Sequence, residues 1–259
     1  MNLARVTAFA LLLPASASAA LFFHRDDGTG RRAPAISLRE RLHVNPLITE
    51  PDTIELEWGG AFTTSGTDTM PTTIHYTPKG PYVFWGRTEF SASFDSLNYD
   101  GNVRHFGDRA SLAATCVLKD GKKFDVAIAP IVSFLLRGDE GIRYGAVAIA
   151  RYDAGRHSGG VTVSWTRGTS PSATNPAGTF DLGFGYGYAL GKITPHTNWV
   201  WERSTGIERQ ISIYEGVEYQ IVDPFAVDFT VQHISVWGGG RDTQFVLGIT
   251  VNTPHLHRK

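Results

Sequence analysis

The sequence predicts an all-β fold, an antiparallel up-and-down transmembrane β-barrel of about 12 strands. Three observations lead there. The chain opens on an export signal, period-two alternation recurs along most of its length, and the links between alternating segments tend to be short and long by turns. Composition excludes other classes. The 259 residues carry 24 Lys+Arg against 25 Asp+Glu, a formal net charge of -1 with no charge run, so no nucleic-acid partner is expected. With 42% hydrophobic and 19% charged residues the chain is not a disordered polar one. Its single cysteine, Cys116, makes no internal disulfide and no cysteine-built zinc module.

Residues 1–19 read as a secretory signal peptide. Arg5 supplies the positive start, residues 6–15 form an apolar run centred on Leu11, Leu12 and Leu13, and Ala17, Ser18 and Ala19 make an A-x-A cleavage site. The run is far shorter than the roughly 20 residues of a membrane-spanning helix. Residues 20–51 follow as an N-terminal periplasmic lead, polar around 26–32. The barrel is assigned to 52–252 and a polar C-terminal tail to 253–259. No later segment is apolar for long enough to cross a bilayer as a helix, so crossing falls to strands.

The alternation places strands at 52–64, 72–78, 82–95, 108–118, 123–135, 142–152, 160–168, 178–190, 193–203, 208–222, 225–237 and 242–252. The clearest lies in 179–190. There Phe180, Leu182, Phe184, Tyr186, Tyr188 and Leu190 share one face, while Thr179, Asp181, Gly183, Gly185, Gly187 and Ala189 share the other. The short, proline-flanked segment 72–78 carries the weakest signal. Short turns are expected at Lys79 and Gly80, Asp120 and Gly121, Gly191 and Lys192, and Asp223 and Pro224, with long links at 97–107 and 168–177. Outer-membrane barrels join strands by short turns on one side and longer loops on the other. Two links depart from this rule, 153–158 being long for a turn and 238–241 short for a loop.

In lipid the apolar set of each strand faces hydrocarbon and the small or polar set faces the lumen. On the strands as drawn, Glu55, Glu57, Arg87, Glu89, Asp125, Arg143, Arg151, Glu202, Glu218 and Asp228 all fall opposite the apolar set, which makes them the expected lumen lining. Glu215 is the exception. It shares parity with Ile211, Ile213, Val217 and Tyr219, so either Gly216 marks a bulge or Glu215 lies near the aqueous rim. Trp58, Trp85, Trp199, Trp201, Tyr214 and Trp237 stand near strand ends or on apolar faces, where interfacial girdles form.

Signal peptide, alternating strands and alternating links together resemble a bacterial outer-membrane β-barrel, over 52–252. The resemblance implies a Gram-negative outer-membrane location, outer-membrane lipid and the barrel-assembly machinery as partners, and a small-molecule solute as cargo. The last strand alternates through Phe245, Leu247, Ile249 and Val251, but the tail ends without the terminal aromatic such barrels carry. The segment Asn45, Pro46, Leu47, Ile48, Thr49, Glu50, Pro51 and the segment Trp85, Gly86, Arg87, Thr88, Glu89 also resemble a transporter family associated with phenol-degradation pathways.

No catalytic set, cofactor site or metal site is expected. His233 and Ser235 match the His-x-Ser of outer-membrane phospholipases without the rest of that motif, and read instead as a hydrogen-bonding pair on one strand face. His75, His105, His157 and His196 fall on different elements, and His255 and His257 lie in the tail. The glycines at 183, 185, 187 and 238–240 precede no Lys-Ser/Thr and no helix, so they make no phosphate loop. The expected function is therefore not enzymatic: passive passage or binding of small solutes through a charged lumen. The alternatives are a structural or surface-interaction barrel with a closed lumen, and a secreted soluble β-sandwich that binds carbohydrate or hydrolyses it with paired carboxylates such as Glu55 and Glu57.

Overall fold

A computed structural model describes residues 48–253 except 50, 64–66, 80–86, 101–102, 106–108, 122, 136–140, 171–176, 207–208, 223–224 and 238–240. The signal peptide, residues 20–47 of the lead, the tail beyond Thr253 and Trp85 lie outside the described residues. So do Gly80, Asp223, Pro224, parts of both long links, and the glycines at 238–240. The strands are β1 (Ile54–Thr63), β2 (Thr67–Tyr76), β3 (Thr88–Asp100), β4 (Val103–His105), β5 (Arg109–Lys119), β6 (Phe124–Leu135) and β7 (Ile142–Ala154). They continue with β8 (His157–Gly168), β9 (Thr179–Tyr188), β10 (Ile193–Ser204), β11 (Gln210–Val222), β12 (Phe225–Val236) and β13 (Arg241–Asn252). No helix occurs among the described residues.

Every pairing is antiparallel and each long strand pairs with its neighbours in sequence. The sheet then closes on itself, since β1 pairs with β13 from Glu55 opposite Asn252 to Thr63 opposite Gln244. Twelve strands form the wall, and the short β4 adds a flap to the far end of β3. Closure leaves the wall no free edge, so its backbone N–H and C=O groups are satisfied within the sheet. A single closed sheet also overturns the β-sandwich alternative, which needs two sheets packed face to face over an apolar core.

The faces are inverted relative to a water-soluble protein. Trp199 is 56% exposed and Phe184 51%, whereas Glu89, His75 and Gln244 are 0% exposed. Outward positions run Leu56, Trp58 and Phe62 on β1, Val161, Val163 and Trp165 on β8, and Phe245 and Leu247 on β13. Among the described residues the apolar clusters inside are small, one joining Ile48, Ala127 and the half-buried Val117, another Ala113 and Ile131. An exposed apolar surface of this extent is stable only against hydrocarbon. The chain is a transmembrane barrel.

Connections sort by end. At the near end, where β1 begins, β7 and β8 are joined by Gly155 and Arg156 alone, and β9 and β10 by residues 189–192. Gly155 and Gly191 take φ of +67° and +68° there, a backbone region that costs a side chain roughly 1–2 kcal/mol. The link at 153–158 is thus a tight turn, because β7 extends to Ala154 and β8 starts at His157. Most far-end links are longer, residues 169–178 among them, but those after β1 and β12 stay short, and the near-end link between β2 and β3 is a long exception.

Three elements differ from expectation. β2 begins at Thr67 rather than 72, because a register shift between Met70 and Pro71 lets a proline stand in a paired strand. β3 begins at Thr88 rather than 82, so the near-end link after β2 spans 77–87 and is not a tight turn. The flap β4 lies within the long link expected at 97–107.

Candidate functional site: the barrel interior

The period of two that builds the wall sends every second side chain inward, and the sequence keeps most of those positions polar, with Ala, Val and Ile at others. Buried on the strands are Glu55, Glu57, Glu89, Asp125, Asp181, Glu202, Glu218 and Asp228, with Arg143 and Arg151 as the buried guanidinium groups among the described residues. Of the ten residues expected to line the lumen, nine are in this set. Arg87 is not, because it precedes β3 and is exposed, although its carbonyl still accepts from the Val117 amide at 2.9 Å. Beyond those expected, Asp181 belongs to this set, and His75, His196, Asn198 and three inward glutamines, Gln210, Gln232 and Gln244, are buried with it.

The interior charges form distinct groups. Around Arg143 on β7, Nε donates to Thr166 Oγ1 at 2.9 Å and Nη2 to Thr179 Oγ1. Thr179 reaches Ser204 at 2.7 Å, and Ser204 donates to Glu202 Oε1 at 3.0 Å. Glu202 pairs in register with Asp181, and Asp181 with Ser164, whose hydroxyl donates to its carboxylate at 2.5 Å. Hydroxyls thus relay between one guanidinium and two carboxylates. Nearer the other end, Arg151 holds Asp153 through Nε at 2.8 Å and Nη2 at 2.6 Å, and its register partner Asp125 accepts the Gly121 amide at 2.9 Å.

A second group spans β1, β2 and β3. His75 Nδ1 lies 2.9 Å from Glu89 Oε1 and its Nε2 3.6 Å from Glu57 Oε2. Glu89 Oε2 also accepts the Thr49 amide at 2.6 Å, and Thr49 Oγ1 meets Thr77 Oγ1 at 2.9 Å. Thr49 belongs to the segment before β1. Ile48, Thr49, Asp52 and Thr53 are all buried, and Ile48 packs on Ala127 of β6. The chain therefore sits inside the near end before turning outward into β1. Asp52 makes that turn with φ of 72°, a left-handed conformation that Asp tolerates better than most side chains, and its amide donates to Thr77 O at 2.8 Å.

Sequence parity missed His75, which faces inward between outward Ile74 and half-buried Tyr76. The signal lay in the β1–β2 register, where His75 opposes Glu55. His105 lies in β4, and His157 is exposed at the near end, bonding Tyr186 at 2.6 Å. His196 is buried on β10 with Glu202. His233 and Ser235 are exposed on the outer face of β12, with His233 3.2 Å from Thr243 Oγ1. Tyr214 corrects the girdle assignment. It points inward and accepts from Gln232 Nε2 at 2.9 Å, because Glu215 next to it takes the outward position with no bulge at Gly216. A rim cavity of about 1030 Å³ at the far end is lined by Trp165, Phe180, Arg203, Arg209 and Trp237.

No protein-family model matches the chain, and no curated protein matches it. Solved structures do. The fold is similar to the KdgM porin, with a TM-score of 0.55, 11% identity, and coverage of 76% of this chain and 98% of that one. It is likewise similar to the NanC porin, with a TM-score of 0.57, 10% identity and coverage of 76% and 98%. A COG4313 outer membrane channel from Pseudomonas putida F1 gives a TM-score of 0.57 at 8% identity, over 88% of this chain and 100% of that one. At such identities the likeness is one of fold. The barrel has the architecture of bacterial porins and channels.

Proposed function

We propose that the chain is a bacterial outer-membrane barrel through which small solutes pass passively along a charged lumen. The observation that carries this is the inward polar set, which runs from Glu55 and Asp125 near one end to Arg143 and Glu202 near the other. Inward carboxylates are costly to desolvate, and a passage that admits water and cations relieves that cost where a sealed, purely structural barrel would not. The lining is assigned to Glu55, Glu57, Glu89, Asp125, Arg143, Arg151, Glu202, Glu218 and Asp228, with Arg87 at the near-end mouth. Carboxylates outnumber guanidinium groups in it, so cations are favoured over anions. The short turns face the periplasm and the longer links the exterior, as in other barrels of this architecture.

Outer-membrane lipid covers the apolar belt, and the barrel-assembly machinery inserts the chain, reading the outward Phe245, Leu247, Ile249 and Val251 of β13. The likeness of residues 45–51 and 85–89 to transporters of phenol-degradation pathways supports a small aromatic solute as the first to try. The KdgM porin, a structural neighbour with a TM-score of 0.55, has also been solved in complex with disordered oligogalacturonate. Conductance in a planar lipid bilayer tests the reading. Stepwise single-channel currents with a reversal potential favouring K+ over Cl- are expected, and a silent or anion-selective barrel would contradict it. The second reading is a closed structural barrel, favoured by the inserted Ile48–Thr49 segment and by the burial of the inward side chains. Absence of any current from correctly folded protein would select it.

A further inference from the structure

Four side chains on three consecutive strands converge at the near end. Glu55 and Glu57 are two apart on β1 and share its inward face, His75 stands opposite Glu55 on β2, and Glu89 lies at the start of β3. One ligand atom from each of Glu55, Glu57 and His75 lies within 4.8 Å of the other two. All three residues are at least nine-tenths buried, being 5%, 2% and 0% exposed.

The imidazole is aimed. Its Nδ1 is fixed by Glu89 Oε1 at 2.9 Å, so as donor there it turns the lone pair of Nε2 toward Glu57 Oε2, 3.6 Å away. That separation suits an ion pair when the imidazole carries a proton on Nε2, and an ion in the proton's place when it does not. It is close to the spacing of about 3.3 Å between two ligand atoms each about 2.0–2.1 Å from a tetrahedral metal ion. A histidine that ligates through one nitrogen and donates to a carboxylate through the other is the recurring arrangement behind metal sites. Here Glu89 is itself anchored by the Thr49 amide at 2.6 Å.

We propose that Glu55, Glu57 and His75 form a binding site for a divalent transition-metal ion, with Glu89 positioning the histidine. One imidazole and two carboxylates suit Zn2+, and after it Mn2+ or Fe2+, whereas Mg2+ and Ca2+ favour oxygen ligands alone. Three protein ligands leave a fourth position for water. The ion clamps β1 to β2 and, through Glu89 and Thr49, bears on the inserted segment. The site stands whether or not the lumen conducts.

The test uses the untagged full chain folded in detergent, with the tail changes His255→Ala and His257→Ala to remove competing imidazoles. Equilibrium dialysis against Zn2+, with Mg2+ in parallel, is followed by metal analysis and a thermal unfolding scan. One Zn2+ per chain, no Mg2+, and a Zn2+-dependent rise in unfolding temperature are expected. His75→Gln is expected to lower Zn2+ affinity about 100-fold or more, Glu89→Gln by about 10–100-fold, and His233→Gln, on the outer face of β12, not at all. Fold is checked in each variant by its heat-dependent gel mobility, and Glu57→Gln replaces His75→Gln if the latter does not fold. Lack of stoichiometric Zn2+ in the parent protein, or unchanged affinity in folded His75→Gln or Glu57→Gln, would overturn the site.

Discussion

Glu215 and Gly216 are adjacent on β11 and face opposite surroundings. Gly216 faces inward, and a Cβ there would collide with His196 Nε2 and Thr230 Oγ1, so the glycine is what lets His196 lie across the strand. Gly216→Val is expected to destabilise the folded barrel by about 1–3 kcal/mol, read as a lower urea midpoint of unfolding from lipid vesicles. A midpoint equal to the parent's would show that His196 relocates freely. Glu215 faces outward with Ile211 and Val217, at a position where a carboxylate in hydrocarbon costs less than the roughly 2–4 kcal/mol of an Arg or Lys. Glu215→Leu is therefore expected to raise the same midpoint, by the equivalent of about 1 kcal/mol, and a fall would place Glu215 in water or against a partner. Parity placed Glu215 with the outward set but left open a bulge at Gly216, which the unbroken β11–β12 register there excludes. It did not give Tyr214 or His75 their roles, because an aromatic or a histidine suits either side of a wall, and only the cross-strand partners Gln232 and Glu89 decide.

Among elements, those with strict alternation and tight turns were legible to within a few residues, β7 to β13 above all. β2 was not, since Thr67–Tyr76 is polar on both faces at its start and contains Pro71, which only the register shift explains. The entry segment was illegible for a different reason. Residues 48–53 have no period, and the burial of Ile48 and Thr49 depends on contacts with Thr77, Glu89 and Ala127, all distant in sequence. Its position gives a prediction. Thr49→Pro removes both the amide that Glu89 accepts and the hydroxyl that meets Thr77, which should loosen the segment and raise mean single-channel conductance. Unchanged conductance would show that the segment does not obstruct the passage.

For the molecule as a whole, the distribution of polarity decides the solvent. Apolar side chains such as Trp58, Phe90, Phe184 and Leu247 point outward, while carboxylates, glutamines and hydroxyls fill the interior, so burial in water cannot hold this sheet together. Its stability comes from a closed ladder of hydrogen bonds and from lipid against the outer belt. This was the most legible feature of the sequence, because twelve strands repeat one choice of face. The most direct measurement is expression with the signal intact in a Gram-negative host, fractionation, and comparison of boiled and unboiled gel mobility. The protein is expected in the outer-membrane fraction, with an unboiled form that migrates as a compact species and shifts on heating. A soluble periplasmic or secreted protein with no heat-dependent shift would contradict the transmembrane barrel.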